Sequence, residues 1–493
     1  MTKEGEKSTL KFWAESARGY KEGVKKELNN RTHSDKWIQK ILDNAPEKEN
    51  LKILDIGTGP GFFTINLAKL GHDVIGVDIS REMVMVAKEN AKEQGVECEF
   101  MVMNANSLDF PDNTFDLIIN RVVTWTLPDM FECYREWRRV LAPNGRIVIF
   151  DGNHYANLFD ENKARTMRMK IRTDMINGAP PLTDHFDFHV RWNYWEERPM
   201  IGTPRPEWDR NMLFKLRYVN IITECPVFPD EEYNDSGTST PMFMIRAEKP
   251  SIEEENDYIV NEYWNAIAGC VSGRTVKMIK DGLADDYVKC ISSHLTPGSK
   301  VLDIGTGSGA VAIPLSKSGF EVTGVDRAFA MIEMAKLTAE ENGSKAEFII
   351  CDAEHLPFDD GSFDAVVLRN VVWNSFRPKA MLAEAERVLK KGGTLLITDG
   401  NWQEDIANWE SSHVDSSDFP NCKKRDLGLG AYDVINSYYN RLPLNLEARP
   451  DWDSDVLKSD GMEVTVCKPF DDPMITSDLK PILKSGFIVV AKK

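Results

Sequence analysis

No stretch of the chain approaches the run of about 20 apolar residues that a membrane-spanning helix needs, so no membrane association is expected. The amino terminus, MTKEGEKSTLKFW, lacks the basic-then-apolar order of a secretory signal. The eight cysteines (Cys98, Cys133, Cys225, Cys270, Cys290, Cys351, Cys422 and Cys467) form no CxxC pair. Such scattered thiols read as small buried side chains in a reducing cytoplasm, and no metal site is expected. Positive charge is short as well: 60 Lys and Arg face 78 Asp and Glu, a net charge of −18. That field opposes a phosphate backbone, which excludes nucleic acid and favours a small-molecule partner.

What is present is a duplication. The chain has 493 residues, enough for two to four domains at about 150 residues each. LDIGTGPGFF spans Leu54 to Phe63 and LDIGTGSGAV spans Leu302 to Val311. Asp55 and Asp303, Asp78 and Asp326, Asp116 and Asp364, Trp125 and Trp373, and Asp151 and Asp399 are all 248 residues apart. The similarity continues upstream at Trp13 and Trp264, and downstream in RPEWD from Arg205 and RPDWD from Arg449. A whole domain is therefore repeated, a period far too long for a solenoid. Pro250 and the acidic cluster after it place the junction there, giving domains 1–249 and 250–493 arranged as a pseudo-dimer within one chain, which is compatible with a monomer.

Within each copy, short β-branched runs alternate with helical segments, as in LKILDIG, DVIGVDI, FDLIINR and GRIVIFDG. This alternation predicts an α/β fold with a parallel sheet between helices. After the fifth strand each copy has a segment rich in Trp, Tyr, Arg and Pro, about 153–210 and 401–453, which reads as a lid. Two further strands follow it. Ligands of such sheets sit at the carboxyl ends of the strands, where the motifs fall.

Gly57, Gly59 and Gly61 follow a strand and precede a helix, so backbone can approach a nucleotide-like ligand. Gly305, Gly307 and Ala310 would satisfy a dinucleotide fingerprint, and nucleotide-dependent oxidoreduction stays open for the second copy alone; Phe62 denies it to the first. Common to both copies is Asp-x-Gly-x-Gly-x-Gly, whose aspartate suits a ligand that presents an amino group.

In these motifs the chain resembles the S-adenosylmethionine-dependent methyltransferases with a Rossmann-like fold, within them the small-molecule branch related to quinone-biosynthesis enzymes. The resemblance covers both halves and implies two seven-stranded methyltransferase domains in tandem, with S-adenosylmethionine as cofactor. It implies that Asp55, Gly57, Gly59 and Gly61, and Asp303, Gly305, Gly307 and Gly309, hold the methionine moiety. Asp78 and Asp326 would grip the ribose hydroxyls, and Asp352 with Ala353 the adenine. Asn104 and Ala105 stand there in the first copy, where loss of a charge-assisted bond weakens binding by about 1 kcal/mol.

Methyl transfer at a sulfonium chiefly requires alignment and exclusion of water. The end of the fourth strand offers Arg121 and Trp125 in the first copy and Arg369, Asn370 and Trp373 in the second, the arginines suited to an acidic group of a substrate. Arg191 and Trp195 join them from the first lid. Candidates for proton transfer are Asp151, Asp399, His154 and His189. RPEWD and RPDWD read as braces, Arg with Asp and a Trp anchor. The leading expectation is two distinct or consecutive methylations of one small metabolite. The alternatives are one catalytic domain beside one that only binds cofactor, and a non-catalytic sensor or scaffold.

Overall fold

In the computed structural model, strand β1 (Lys52–Ile56) is buried along nearly its whole length, as expected of a central strand covered by helices on both faces. The structure describes residues 3–153, 203–228, 242–400, 441–474 and 486–493, with Met200 and a few positions between 161 and 176. Contacts divide the chain into two units, Met1–Ile252 and Glu253–Lys493.

In the first unit, helices α1 (Lys3–Asn29) and α2 (Arg31–Leu42) lead into β1, α3 (Phe62–Lys69), β2 (Asp73–Asp78), α4 (Arg81–Glu93), β3 (Glu99–Val102), β4 (Phe115–Arg121), α5 (Met130–Val140) and β5 (Leu141–Asp151). After the lid region come α6 (Glu207–Lys215), β6 (Val219–Glu224) and β7 (Phe243–Glu248). The sheet order is β3-β2-β1-β4-β5-β7-β6, with β7 antiparallel to both neighbours and the other pairings parallel. The chain reverses direction across the sheet between β1 and β4, which opens a crevice at their carboxyl ends. One face of the sheet packs Trp37, Phe63 and Phe150, and the other Tyr134, Trp137 and Leu213.

The second unit repeats this order with α7 (Ile252–Lys280), α8 (Leu283–Ser292), β8 (Lys300–Ile304), α9 (Ala312–Lys317), β9 (Glu321–Asp326), α10 (Phe329–Glu341), β10 (Glu347–Ile350), β11 (Phe363–Arg369), α11 (Pro378–Val388), β12 (Leu389–Asp399), α12 (Asp451–Ser459), β13 (Glu463–Pro469) and β14 (Phe487–Lys492). Its sheet runs β10-β9-β8-β11-β12-β14-β13. The expected α/β architecture, two seven-stranded domains in tandem, is thus the observed one. Most of both lid segments lies outside the described residues.

Candidate functional site

The first cleft starts at the turn between β1 and α3. Gly57 has φ +67°, and a Cβ there would fall 2.4 Å from Val123 Cγ2, so only glycine fits. Gly305 repeats both constraints with φ +69° and Val371 Cγ2 at 2.4 Å. Gly59 and Gly307 are also left-handed but have open space where a side chain would be. A ligand can therefore approach the backbone at these points in each unit.

Acidic side chains shape both loops. Asp55 Oδ2 accepts from Thr58 Oγ1 at 2.7 Å and Thr64 Oγ1 at 2.8 Å, and Asp303 Oδ2 accepts from Thr306 Oγ1 at 2.7 Å. Burial pushes both carboxyls up, Asp303 to about 7. At the end of β2, Asp78 accepts from the Gly59 and Ser80 N–H groups at 3.0 and 2.9 Å, and Asp326 accepts from Gly307 and Ala328, both at 2.9 Å. Burial raises Asp78 to about 6 and raises Asp326 as well. Each acid thus ties the glycine loop to the second strand.

The first cavity, about 830 Å³, collects Asp55, Gly57, Gly59, Asp78, Asn104, Ala105 and Arg121. The second, about 400 Å³, collects Gly305, Gly307, Asp326, Asp352, Ala353, Arg369, Asn370 and Trp373. Gly61, Trp125, Asp303 and Gly309 line neither. A Cβ on Gly61 would press on Phe100 and Ala87, so that glycine serves packing. Trp125 is buried, its indole N–H directed to the Val122 carbonyl.

Asp151 and Asp399, read from the sequence as candidates for proton transfer, are sealed away from both cavities. Asp151 accepts from Thr124 Oγ1, from Trp125 N at 3.0 Å and from Arg205 Nη1 at 3.2 Å, while its other oxygen accepts from Gly152 N at 2.8 Å. Asp399 accepts from Trp373 N at 3.2 Å and Arg449 Nη1 at 2.9 Å. The same guanidiniums clamp Asp209 and Asp453, so the RPEWD and RPDWD arginines brace α6 and α12 to the ends of β5 and β12. A carboxylate so engaged positions the loop after the fourth strand and has no access to a substrate. His154, His189, Arg191 and Trp195 lie outside the described residues.

The arginines expected to meet a substrate's acid already hold carboxylates. Arg121 Nη2 donates to Glu27 Oε2 at 2.8 Å, with its guanidinium 4.7 Å from the Phe62 ring centre and 5.2 Å from that of Trp37. Arg369 Nη2 lies 2.6 Å from Asp472 Oδ2, with Tyr287 below it. In the second cleft Asp352 Oδ2 accepts from Arg327 Nη2 at 2.5 Å, and Arg327 also donates to Asp257 on α7 at 2.9 Å. Arg377 joins Asp257 at 2.8 Å and pairs with Glu354. In the first cleft Ile79 stands where Arg327 does, so Asn104 has no such partner.

Sequence reasoning missed Glu27 and His33, which also line the first cavity. His33 is buried against Phe62, ring centres 5.7 Å apart, with Nε2 3.7 Å from Glu27 Oε1. Burial alone would raise Glu27, but His33 and the Arg121 charge hold it down at about 2. Neither residue belongs to a motif, and only the docking of α1 and α2 beside the crevice brings them in.

Comparison with known proteins agrees with this geometry. A family model described as a methyltransferase domain matches residues 47–194, and a second model of the same description matches 302–397. The chain is 41% identical over 117 residues to the uncharacterized methyltransferase YcgJ of Bacillus subtilis, covering 24% of this chain and 46% of that protein. It is 33% identical over 118 residues to a demethylmenaquinone methyltransferase of Thermus thermophilus, covering 24% and 54%. The chain therefore spans about half the length of the curated relatives it matches. A solved S-adenosylmethionine-dependent methyltransferase of Aquifex aeolicus aligns at 22% identity and a TM-score of 0.29, over 42% of this chain and 88% of that one. Each half of the chain therefore carries a methyltransferase domain, of the kind that uses S-adenosylmethionine as cofactor.

Proposed function

We propose that each half binds one S-adenosylmethionine and transfers its methyl group to a small metabolite, and that the two halves carry out different or consecutive transfers. The observation that carries this reading is the same cradle built twice, a left-handed glycine loop hydrogen-bonded to a half-buried acid at the end of the second strand, beside cavity ends that differ. Gly57, Gly59 and Asp78 would hold the first cofactor, with Asn104 and Ala105 at adenine; Gly305, Gly307, Asp326, Asp352 and Ala353 would hold the second. When bound, the sulfonium supplies an electrophilic methyl carbon. The aromatic wall of the first cavity, with Trp13, Tyr20, Trp37 and Phe62, excludes water and suits a planar acceptor, in keeping with a relative named for demethylmenaquinone.

The smaller second cavity favours a second reading, in which that half binds cofactor without transferring. Both are tested together. Calorimetric titration with S-adenosylhomocysteine should give two sites per chain, and Asp78→Ala or Asp326→Ala should each leave one. Mass spectrometry of the producing cell's extract, incubated with methyl-labelled cofactor, should then show each variant stopping a different methylation. Full retention of product by the Asp326→Ala chain would establish the passive second half instead.

A further inference from the structure

Three groups on different elements meet inside the first cavity, Glu27 at the end of α1, His33 in the first turn of α2, and Arg121 at the end of β4, and among the described residues the first two have no counterpart in the second, where only Arg369 repeats Arg121. In the second unit the first turn of α8 carries Leu283 and Ala284, and Arg369 is met by Asp472 rather than by the helix preceding α8. Met278, near the end of that preceding helix, lines the second cavity instead. The first group is therefore a local addition to a shared fold.

The chemistry of the group is that of a supported base. Arg121 fixes one oxygen of Glu27 at 2.8 Å, and the other lies 3.7 Å from His33 Nε2. An ionised carboxylate beside an imidazole orients the ring and stabilises the cation formed when it takes a proton. Phe62 and Trp37 pack against the ring, which keeps water from competing for the same position.

We propose that His33, supported by Glu27 and Arg121, is the proton acceptor for methyl transfer in the first half, and that the acceptor there carries a dissociable O–H or N–H. As the new bond to the methyl carbon forms, the acceptor's proton passes to the His33 imidazole. The carbon–sulfur bonding pair remains on sulfur as S-adenosylhomocysteine departs. Among the described residues the second half has no such histidine–glutamate pair beside Arg369. The proposal rests on the methyltransferase reading of the first half.

The test uses the full chain carrying Asp326→Ala, so that transfer comes from the first site alone, with S-adenosylhomocysteine, methyl-labelled S-adenosylmethionine and the producing cell's small-molecule extract as probes. His33→Ala should slow label transfer at saturating cofactor by about 100-fold, with S-adenosylhomocysteine affinity within twofold of the parent. Imidazole added to the buffer should restore part of the rate. Glu27→Gln should slow transfer by about tenfold. His33→Asn, a polar replacement, should show the same rate loss with an unchanged near-ultraviolet spectrum, separating chemistry from misfolding. Unchanged rates overturn the proposal. So does a tenfold loss of S-adenosylhomocysteine affinity with the saturated rate retained, which would make His33 a ligand of the cofactor's carboxylate. A parent that binds S-adenosylhomocysteine yet transfers no label overturns the catalytic reading of the first half and the proposal with it, whereas a parent that binds none overturns the cofactor assignment.

Discussion

Asp78 does two things with one carboxylate: it accepts from the Gly59 and Ser80 N–H groups, and it faces the cavity where ribose hydroxyls would come. Burial lifts it to about 6 from an ordinary 3.8. An acid raised in the folded state stabilises the fold when protonated, so its contribution is present below pH 3.8 and is lost as pH rises through about 6. Ligand binding has the opposite sign, because the ionised form is the better acceptor. Affinity of the first site for S-adenosylhomocysteine should therefore fall below pH 6, by up to about tenfold per pH unit, and Asp78→Asn should bind weakly with no step there; calorimetry across pH 5 to 8 measures both. Asn104 offers a second case. Without an Arg327 equivalent beside it, Asn104→Asp should tighten the first site by about fivefold, through a charge-assisted bond worth about 1 kcal/mol more than the present one. Equal or weaker affinity in the variant would show that this position does not meet the adenine amine.

Helices before each β-sheet cover the clefts in different ways. In the first unit α1 is tied to α4 by Lys21 with Glu89 at 2.6 Å and Lys25 with Glu93 at 2.7 Å, pairs at the surface that contribute little. In the second, Asp257 on α7 bridges Arg327 and Arg377 at the cleft. Asp257→Asn should speed cofactor association at the second site and leave the first unchanged, an outcome stopped-flow fluorescence can read. The buried arginines act at the other end of each sheet. Removing one partner from a buried, hydrogen-bonded pair costs about 3–5 kcal/mol, so Arg205→Met or Arg449→Met should lower the melting temperature of its own unit by roughly 10 °C. A shift under 2 °C would mean that the loop after the fourth strand holds its place without the brace.

At the scale of the whole molecule, each unit has a complete seven-stranded sheet and its own core. Residues 1–252 and 253–493, expressed separately, should each unfold cooperatively and bind one S-adenosylhomocysteine, as calorimetry would show. The duplication, the parallel sheets and the tight glycine loops were legible in the sequence, because strand–glycine–helix patterns record local backbone requirements: Gly57 and Gly305 must be left-handed and must leave room for a valine. The acids that hold these loops, Asp78 and Asp326, were legible for the same reason, as each sits at a fixed distance from its glycines. The partners of the charged side chains at the strand ends were not. Asp151 and Asp399 stood at the right strand ends, but whether a carboxylate faces a substrate or an arginine depends on a side chain about 50 residues away, and Arg205 and Arg449 took them. Arg121 and Arg369 have the same place in the sequence and different partners, Glu27 from α1 and Asp472 from the segment after β13. Sequence by itself determined the fold and the glycine loops with their acids, both set by short-range spacing. Only the tertiary structure decided which charges meet, because an ion pair forms between elements whose nearness no local pattern encodes.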